Sequence, residues 1–231
     1  MRLMNVEPQK WIDPDDPLST TLDSGIELLY PKHLEGGCFW LKDEFIKVIN
    51  LLDKHPYNNC FEWCSGLGGI GFEILGKRLC NHVVFSDYYY IAIENCLDNA
   101  KRNNVTSQVT GYISPTINGI PDCEKWDLVV GTPPHCFNGD EYIEHLNKVN
   151  TAQSGSLTAS NWARLTIDDN MEIHKEFFQN IRQRVTDNAD ILLFGSSKQD
   201  IIIQLALTGN LNFIDIYSVE RYGVIYHFKP I

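Results

Sequence analysis

No stretch of this chain stays apolar for the ~20 residues that a membrane-spanning helix needs, and its start, Met1 to Pro17, is polar and acidic, unlike a secretory leader. The expectation is a soluble, intracellular protein of the cytoplasm with no membrane role. Blocks of Lys or Arg are absent too: 19 basic residues lie scattered against 30 acidic ones, for a net charge of −11. A long phosphate backbone would be repelled by most of such a surface, so nucleic-acid binding would need a local basic patch or a partner. The balance leans towards a protein or small-molecule substrate. Cys-x-x-Cys pairs are missing from the seven cysteines (Cys38, Cys60, Cys64, Cys80, Cys96, Cys123 and Cys136), an odd number lying mostly in apolar stretches. Buried free thiols are expected there, and no metal site. Internal repeats and low-complexity segments are also lacking, and 231 residues suffice for one domain with a good-sized core.

What is present begins irregularly. The first two dozen residues, rich in Asp, Pro, Ser and Thr, carry no sustained period and read as a mobile or wrapping arm. Ile26 to Tyr30 fits a short strand, and Leu41 to Leu52 places Phe45, Ile46, Ile49 and Leu52 on one helical stripe. From there apolar runs alternate with amphipathic stretches. Strands are expected at Cys60 to Trp63, His82 to Ser86, Val109 to Ile113, Trp126 to Val130 and Ile191 to Phe194. Helices are expected near Gly69 to Lys77, Tyr89 to Arg102, Met171 to Val185 and Asp200 to Leu207. That alternation predicts an α/β fold, a mostly parallel sheet with helices on both faces. Phe213 to Val219 and Val224 to Phe228 are separated by Glu220-Arg221-Tyr222-Gly223 alone, too short for a parallel crossover, so the chain should close on an antiparallel strand. The division expected is an N-terminal arm and lid segment, 1–57, ahead of a catalytic domain, 58–231.

The densest chemical motif is Phe61-Glu62-Trp63-Cys64-Ser65-Gly66-Leu67-Gly68-Gly69-Ile70-Gly71, between the first regular strand and the first helix of the alternation. An open α/β sheet binds its ligand at such a turn, and glycines there let backbone approach the ligand and let the helix pack on the strand. Asp87 ends the next strand, about 20 positions beyond Gly68, where a carboxylate can hold both hydroxyls of a ribose. Its alternative role is to cap the helix beginning near Tyr88. Gly66-x-Gly68-x-x-Gly71 also matches the nicotinamide fingerprint, but Glu62 is an acid inside the strand, costly without a task. A pyrophosphate would be repelled there. S-adenosylmethionine carries a cationic amino group and sulfonium and no phosphate, so Glu62 favours it over a dinucleotide.

With these residues in place the chain resembles a known family, the class I S-adenosylmethionine-dependent methyltransferases. Glu62-x-Cys64-x-Gly66-x-Gly68 is similar to their first motif, with Cys64 for the first glycine, and Ser86-Asp87-Tyr88 with the helix through Asn99, Ala100 and Asn103 is similar to their second. Trp126 to Val130 followed by Gly131-Thr132-Pro133-Pro134-His135 resembles the fourth motif of the branch ending in Asn-Pro-Pro-Tyr, with release-factor glutamine methyltransferases and other small-domain methyltransferases nearest. Asp169-Asn170-Met171 resembles the Asp-Gly-Leu entry to their next helix. The resemblance implies a Rossmann-like fold of seven strands and S-adenosyl-L-methionine as cofactor. It implies a cofactor site of Glu62, Cys64, Ser65, Gly66, Leu67, Gly68, Asp87, Tyr88 and Gly131, and an acceptor site of Thr132, Pro133, Pro134 and His135. The acid that often follows the third strand to hold adenine is absent from Gly111 to Ser114, which leaves backbone groups and apolar side chains such as Ile113.

Transfer from a sulfonium needs donor and acceptor held in line more than it needs covalent help. Thr132 and the carbonyl of Pro133 can each accept a hydrogen bond from an amide or amine acceptor. His135 either takes a proton from the substrate or stands in the pocket wall. Substrate choice is expected in the long connection Phe137 to Asp168, where Trp162 either stacks on a flat acceptor or packs on its own loop, with Arg164 nearby. The segment from Gly36-Gly37 through Phe39-Trp40 is a candidate cover for the cofactor. The expected function is N-methylation of a protein side chain or small molecule. Methylation of a base in RNA or DNA, and a nicotinamide-binding oxidoreductase or silent nucleotide-binding module, remain alternatives.

Overall fold

The structure is a computed structural model that describes residues 17–31, 34, 41–134, 140, 167–195, 198–219 and 223–231. A hairpin of β1 (Leu18–Thr21) and β2 (Glu27–Tyr30) comes first, followed by α1 (Lys42–Leu52). The alternating part runs β3 (Tyr57–Trp63), α2 (Gly69–Gly76), β4 (Cys80–Asp87), α3 (Tyr90–Arg102), β5 (Val109–Ile113) and β6 (Trp126–Gly131). After it come α4 (Glu172–Ile181), β7 (Val185–Gly195), α5 (Gln199–Thr208), β8 (Leu211–Val219) and β9 (Gly223–Pro230).

Strands β3 to β9 form one seven-stranded sheet in the order β5-β4-β3-β6-β7-β9-β8. Pairings among β5, β4, β3, β6 and β7 are parallel, whereas β9 runs antiparallel to both β7 and β8. The mostly parallel sheet with one antiparallel C-terminal strand, expected from spacing, is therefore the observed fold. Chain order reverses direction between β3 and β6, so the crevice of an open sheet opens at their C-terminal ends.

Each central strand sends alternate side chains to two cores, which is why its sequence reads as a nearly unbroken apolar run. Cys60, Val83, Phe85, Leu128 and Val130 meet Phe45, Ile49, Ile70, Ile74, Ile93 and Cys96 of α1 to α3. Phe61, Val84, Trp126, Val129, Ile191 and Leu193 meet Phe177, Phe178, Ile181, Ile202 and Ala206 of α4 and α5. Phe61 stacks on Trp126 at 4.0 Å, and Trp63 on Phe177 at 3.9 Å.

Two expectations need correction. The N-terminal stretch is not an arm throughout: residues 1–16 lie outside the described residues, but Leu18–Thr21 is a strand paired in register with Glu27–Tyr30. Four residues are too few to show a period; Leu22, Ile26, Leu28 and Tyr30 are buried in the core and Leu18 packs against it. The helix expected over Met171 to Val185 is shorter, because Asn170 and Met171 have left-handed backbones (φ 57° and 58°) and Arg182–Arg184 tightens into a 3-10 turn before β7. No helix among the described residues is long and apolar enough to cross a membrane.

Candidate active site

The turn after β3 curls through three left-handed residues, Cys64 (φ 56°), Gly66 (φ 52°) and Gly68 (φ 77°). Cys64 holds this backbone with a side chain, at a cost of roughly 1–2 kcal/mol that the surrounding bonds must overcome. Those bonds are specific: the Ser65 amide donates to the Ser86 carbonyl at 3.0 Å, and the Gly68 amide to the Ser65 carbonyl at 2.7 Å. Leu67 is buried beneath the turn. Gly68 has another reason to be glycine than the expected approach to a ligand. A Cβ there would lie 2.9 Å from Cys96 Sγ and 3.0 Å from Phe85, so it is the core of the protein that denies it a side chain. At Gly71 a Cβ would lie 2.6 Å from Glu62 Oε2.

Two carboxylates flank this turn. Glu62 points to the α2 face of the sheet, 2 % exposed, and its Oε2 accepts the Gly71 amide at 2.7 Å in the first turn of α2. Burial pushes its carboxyl up to about 8, against the lowering effect of hydrogen bonds from Gly71 and Ile70, and the nearby Asp87 adds to the rise. Asp87, the last residue of β4, accepts the Gly66 amide on Oδ2 and the Tyr89 amide on Oδ1, both at 2.9 Å. Burial raises its carboxyl, and the backbone amides that bond it oppose the rise. The helix-capping role read for Asp87 needs correction, since α3 begins at Tyr90 with Tyr89 as its N-cap and no side-chain cap bond; Asp87 instead ties the turn after β3 to the turn before α3. The Tyr88 amide bonds the carboxylate as well, so three amides leave about one of its four acceptor positions for a further donor.

Strand register gathers the other motif ends on one rim. Trp63 pairs with Ser86 on one side and Gly131 on the other, and Asp87 pairs with Ile113. Tyr88 (62 % exposed) follows Asp87 in the chain and Ile113 (57 % exposed) pairs with it across the strands. Gly131 brings β6 close: a Cβ would stand 3.0 Å from the Trp63 carbonyl. Beyond it Thr132 is half-buried and Pro133 and Pro134 are buried. His135, Trp162, Arg164 and the segment from Gly36 to Trp40 lie outside the described residues. Among the described residues of these turns (64–69, 87–90, 113–116 and 131–134) there is no Lys, Arg or His. No metal-binding group of His, Cys, Asp and Glu occurs among the described residues, and Cys60, Cys80, Cys96 and Cys123 are in no disulfide.

One pair beside the rim escaped sequence reasoning. Asp168 accepts the Ile173 and His174 amides and holds His174 Nδ1 at 2.7 Å, and the His174 ring lies edge-on to Trp63. The trace it leaves in the sequence is a histidine where the stripe Phe177, Phe178, Ile181 would place an apolar residue.

No protein-family model matches the chain, and no curated protein matches it in sequence. Solved structures do resemble it. A ribosomal protein L11 methylase from Lactobacillus delbrueckii shares 10% identity at a TM-score of 0.56, over 80% of this chain and 76% of that one. An S-adenosylmethionine-dependent methyltransferase from Clostridium acetobutylicum shares 10% identity at 0.56, over 84% and 92%. A tRNA methyltransferase from B. subtilis shares 6% at 0.52, over 80% and 65%. At such identities the likeness establishes a Rossmann-like methyltransferase fold and nothing finer.

Proposed function

We propose that the chain is an S-adenosylmethionine-dependent methyltransferase that transfers methyl to a nitrogen of a protein side chain or small molecule. The observation that carries this reading is the pair of carboxylates, Glu62 and Asp87, at the switch point of the sheet, with no Lys, Arg or His among the described residues of the turns after β3, β4, β5 and β6. Such a site repels a pyrophosphate and accepts an adenosine whose other end is cationic. The residues present fit that group. Asp87 has an acceptor position left for a ribose hydroxyl, Tyr88 and Ile113 are exposed apolar side chains that could meet a flat base, and the turn Cys64-Ser65-Gly66-Leu67-Gly68 with Gly131 would border the amino-acid end, with Glu62 in the strand before it.

When bound, the cofactor would supply an electrophilic methyl on a sulfonium. The chain's part is orientation. The Thr132 hydroxyl and the Pro133 carbonyl would accept hydrogen bonds from the acceptor nitrogen and aim its lone pair, and the two prolines stiffen the segment that presents them. Thr132 and His135 stand where the Asn-Pro-Pro-Tyr branch has Asn and Tyr, and in our reading His135 receives the acceptor's proton. Acidic net charge and the lack of Lys, Arg and His among the described residues of the turns after β3, β4, β5 and β6 favour a protein or small molecule over a nucleic acid; Lys198 follows β7 on the same rim. Cations such as Lys77, Arg78, Arg102, Lys125 and Arg184 instead precede the parallel strands, at the opposite edge of the sheet.

Calorimetry with S-adenosylmethionine, S-adenosylhomocysteine and NAD tests the cofactor, with binding of the first two alone as the expected result. Labelled methyl transfer into a cell lysate tests the acceptor. Label removed by protease or lost with the small-molecule fraction agrees with the proposal, and label released by nuclease overturns its acceptor class.

A further inference from the structure

Among the described residues one edge of β2 in the β1–β2 hairpin has no strand partner, and a helix fills that place. Asn95 and Asn99 on α3 and Asn103 at its C-cap stand four residues apart. The Leu29 amide donates to Asn99 Oδ1 at 2.9 Å, and its carbonyl accepts from Asn95 Nδ2 at 2.7 Å and Asn99 Nδ2 at 3.0 Å. The Glu27 amide donates to Asn103 Oδ1 at 2.9 Å, and its carbonyl accepts from Asn103 Nδ2 at 2.7 Å. Each of the last two asparagines thus offers one donor and one acceptor to every second residue of β2, as a neighbouring strand would. The spacings match, since four helical residues rise ~6 Å and two strand residues ~6.6 Å.

The other end of the hairpin is fixed to α2. The Ser24 amide and hydroxyl donate to Glu73 Oε2 at 3.2 and 2.7 Å. A Cβ on Gly76 would lie 2.5 Å from Ser24 Cβ, so α2 keeps a glycine where the hairpin crosses it. The hairpin therefore ties together the two helices that follow the turns of the candidate site.

Between Asn95 and Asn99 the same helix carries Cys96. Its thiol donates to the Gly66 carbonyl at 3.6 Å and fills the space a Gly68 side chain would need. Burial pushes this thiol up, so it stays a protonated donor. A continuous line of contact runs from the β2 backbone through the asparagines and Cys96 to Gly66 and Gly68, and from the Gly66 amide to Asp87. We propose that the N-terminal hairpin is a brace whose seating on Asn95, Asn99 and Asn103 sets the cofactor turn, making these asparagines positioning residues for cofactor binding. The inference rests on the cofactor reading above. Because coupling is reciprocal, cofactor binding must also tighten the seating of the hairpin.

The test uses the full chain, with S-adenosylhomocysteine as probe, and reads affinity by calorimetry and amide exchange of Glu27 and Leu29 by NMR or mass spectrometry. In the wild type the ligand should slow exchange of those two amides. Asn99→Ala should bind it about three- to tenfold more weakly, with Ser24→Ala moving the same way by less. Asn103→Ala, at a more exposed rung, serves if Asn99→Ala does not fold. Variants that lose melting temperature and hairpin protection yet keep wild-type affinity would show a purely structural hairpin and overturn the brace. A wild type that binds no ligand overturns the cofactor reading and the brace with it. Wild-type binding with unchanged variants overturns the brace alone.

Discussion

Two buried carboxylates in this molecule move in opposite directions. Asp190, in β7, is fully buried, and His227 Nε2 (2.7 Å), Lys54 Nζ (3.0 Å), Tyr57 Oη (3.1 Å) and Lys229 Nζ (3.5 Å) surround it. Burial alone would raise its carboxyl, but hydrogen bonds from His227 and Lys54 and the charge on both outweigh burial and lower it to about 2. Glu62 is as deeply buried and, among the described residues, is bonded by backbone amides and faces a second acid, and burial lifts it to about 8. The paired acid completes its own charge balance within the protein. Glu62 has no cationic partner among the described residues, and on the reading proposed above a ligand's positive charge would supply one.

The largest effect expected from this contrast is on folding. Asp190→Ala leaves His227 and Tyr57 buried without their acceptor and should cost about 3 kcal/mol, at the low end for a broken buried pair because both lysines are partly exposed and can turn to water. Urea unfolding reads this directly. S-adenosylhomocysteine affinity of the folded variant should not change, and a variant that loses affinity but keeps stability would undo the contrast. The sign of the pH dependence follows from the lowered value. Asp190 contributes stability above its unfolded value near pH 4, and that contribution is lost as pH falls towards 2.

For Glu62 the sign is reversed. Its folded value, near 8, lies above its ordinary 4.5, so between these pH values the folded chain holds a proton that the unfolded chain has released. Its effect is a loss of stability with rising pH, at most about 1.4 kcal/mol per pH unit and level above pH 8. Glu62→Gln should remove that slope from the unliganded protein, so that at pH 8 the variant is the more stable one while it binds S-adenosylmethionine about tenfold or more weakly. Denaturation curves at several pH values settle it, and an unaltered slope would mean that Glu62 is already ionised by a partner.

Asp87 stands between these cases, because it serves both the protein and the proposed ribose. Asp87→Ala should lower affinity for S-adenosylhomocysteine about ten- to a hundredfold. Some stability should go as well, since the Gly66 and Tyr89 amides lose their acceptor. Unchanged affinity in calorimetry would remove Asp87 from the ribose site.

How far the sequence carried these conclusions depended on whether a feature was local. Parallel strands, their helices and the closing antiparallel strand follow from periodicity and connection length, and Glu62 stood out because an acid interrupts an apolar run. Asp190 interrupts one too, beside Ile191 to Phe194, but its partners Lys54, Tyr57 and His227 are far away in sequence, so its neutralisation could not be foreseen. The same holds for Gly68, whose neighbour Cys96 comes from another helix, and for β1, a strand held by bonds to residues after a turn. Asn99 and Asn103 were noticed as part of a motif, but their task of pairing with β2 shows only when the helix and hairpin meet.

Thr132→Ala is the subtlest change and separates the two halves of the rim. The contrast of carboxylates concerns cofactor charge, whereas Thr132 lies beyond β6, half-buried, between Gly131 and two buried prolines. If its hydroxyl orients only the acceptor, it acts on the transition state and not on cofactor binding. Affinity for S-adenosylhomocysteine should then stay as in the wild type, while single-turnover transfer of labelled methyl to the lysate fraction that accepts it falls about tenfold, the worth of one ordinary hydrogen bond. Folding should be almost untouched, because Pro133 and Pro134 keep the backbone course. Thr132→Ser restores the hydroxyl and should restore most of the rate, an outcome that packing alone would not give. A variant that loses cofactor affinity in parallel with rate would place Thr132 with the cofactor instead. One that keeps full transfer would move the acceptor site away from the end of β6.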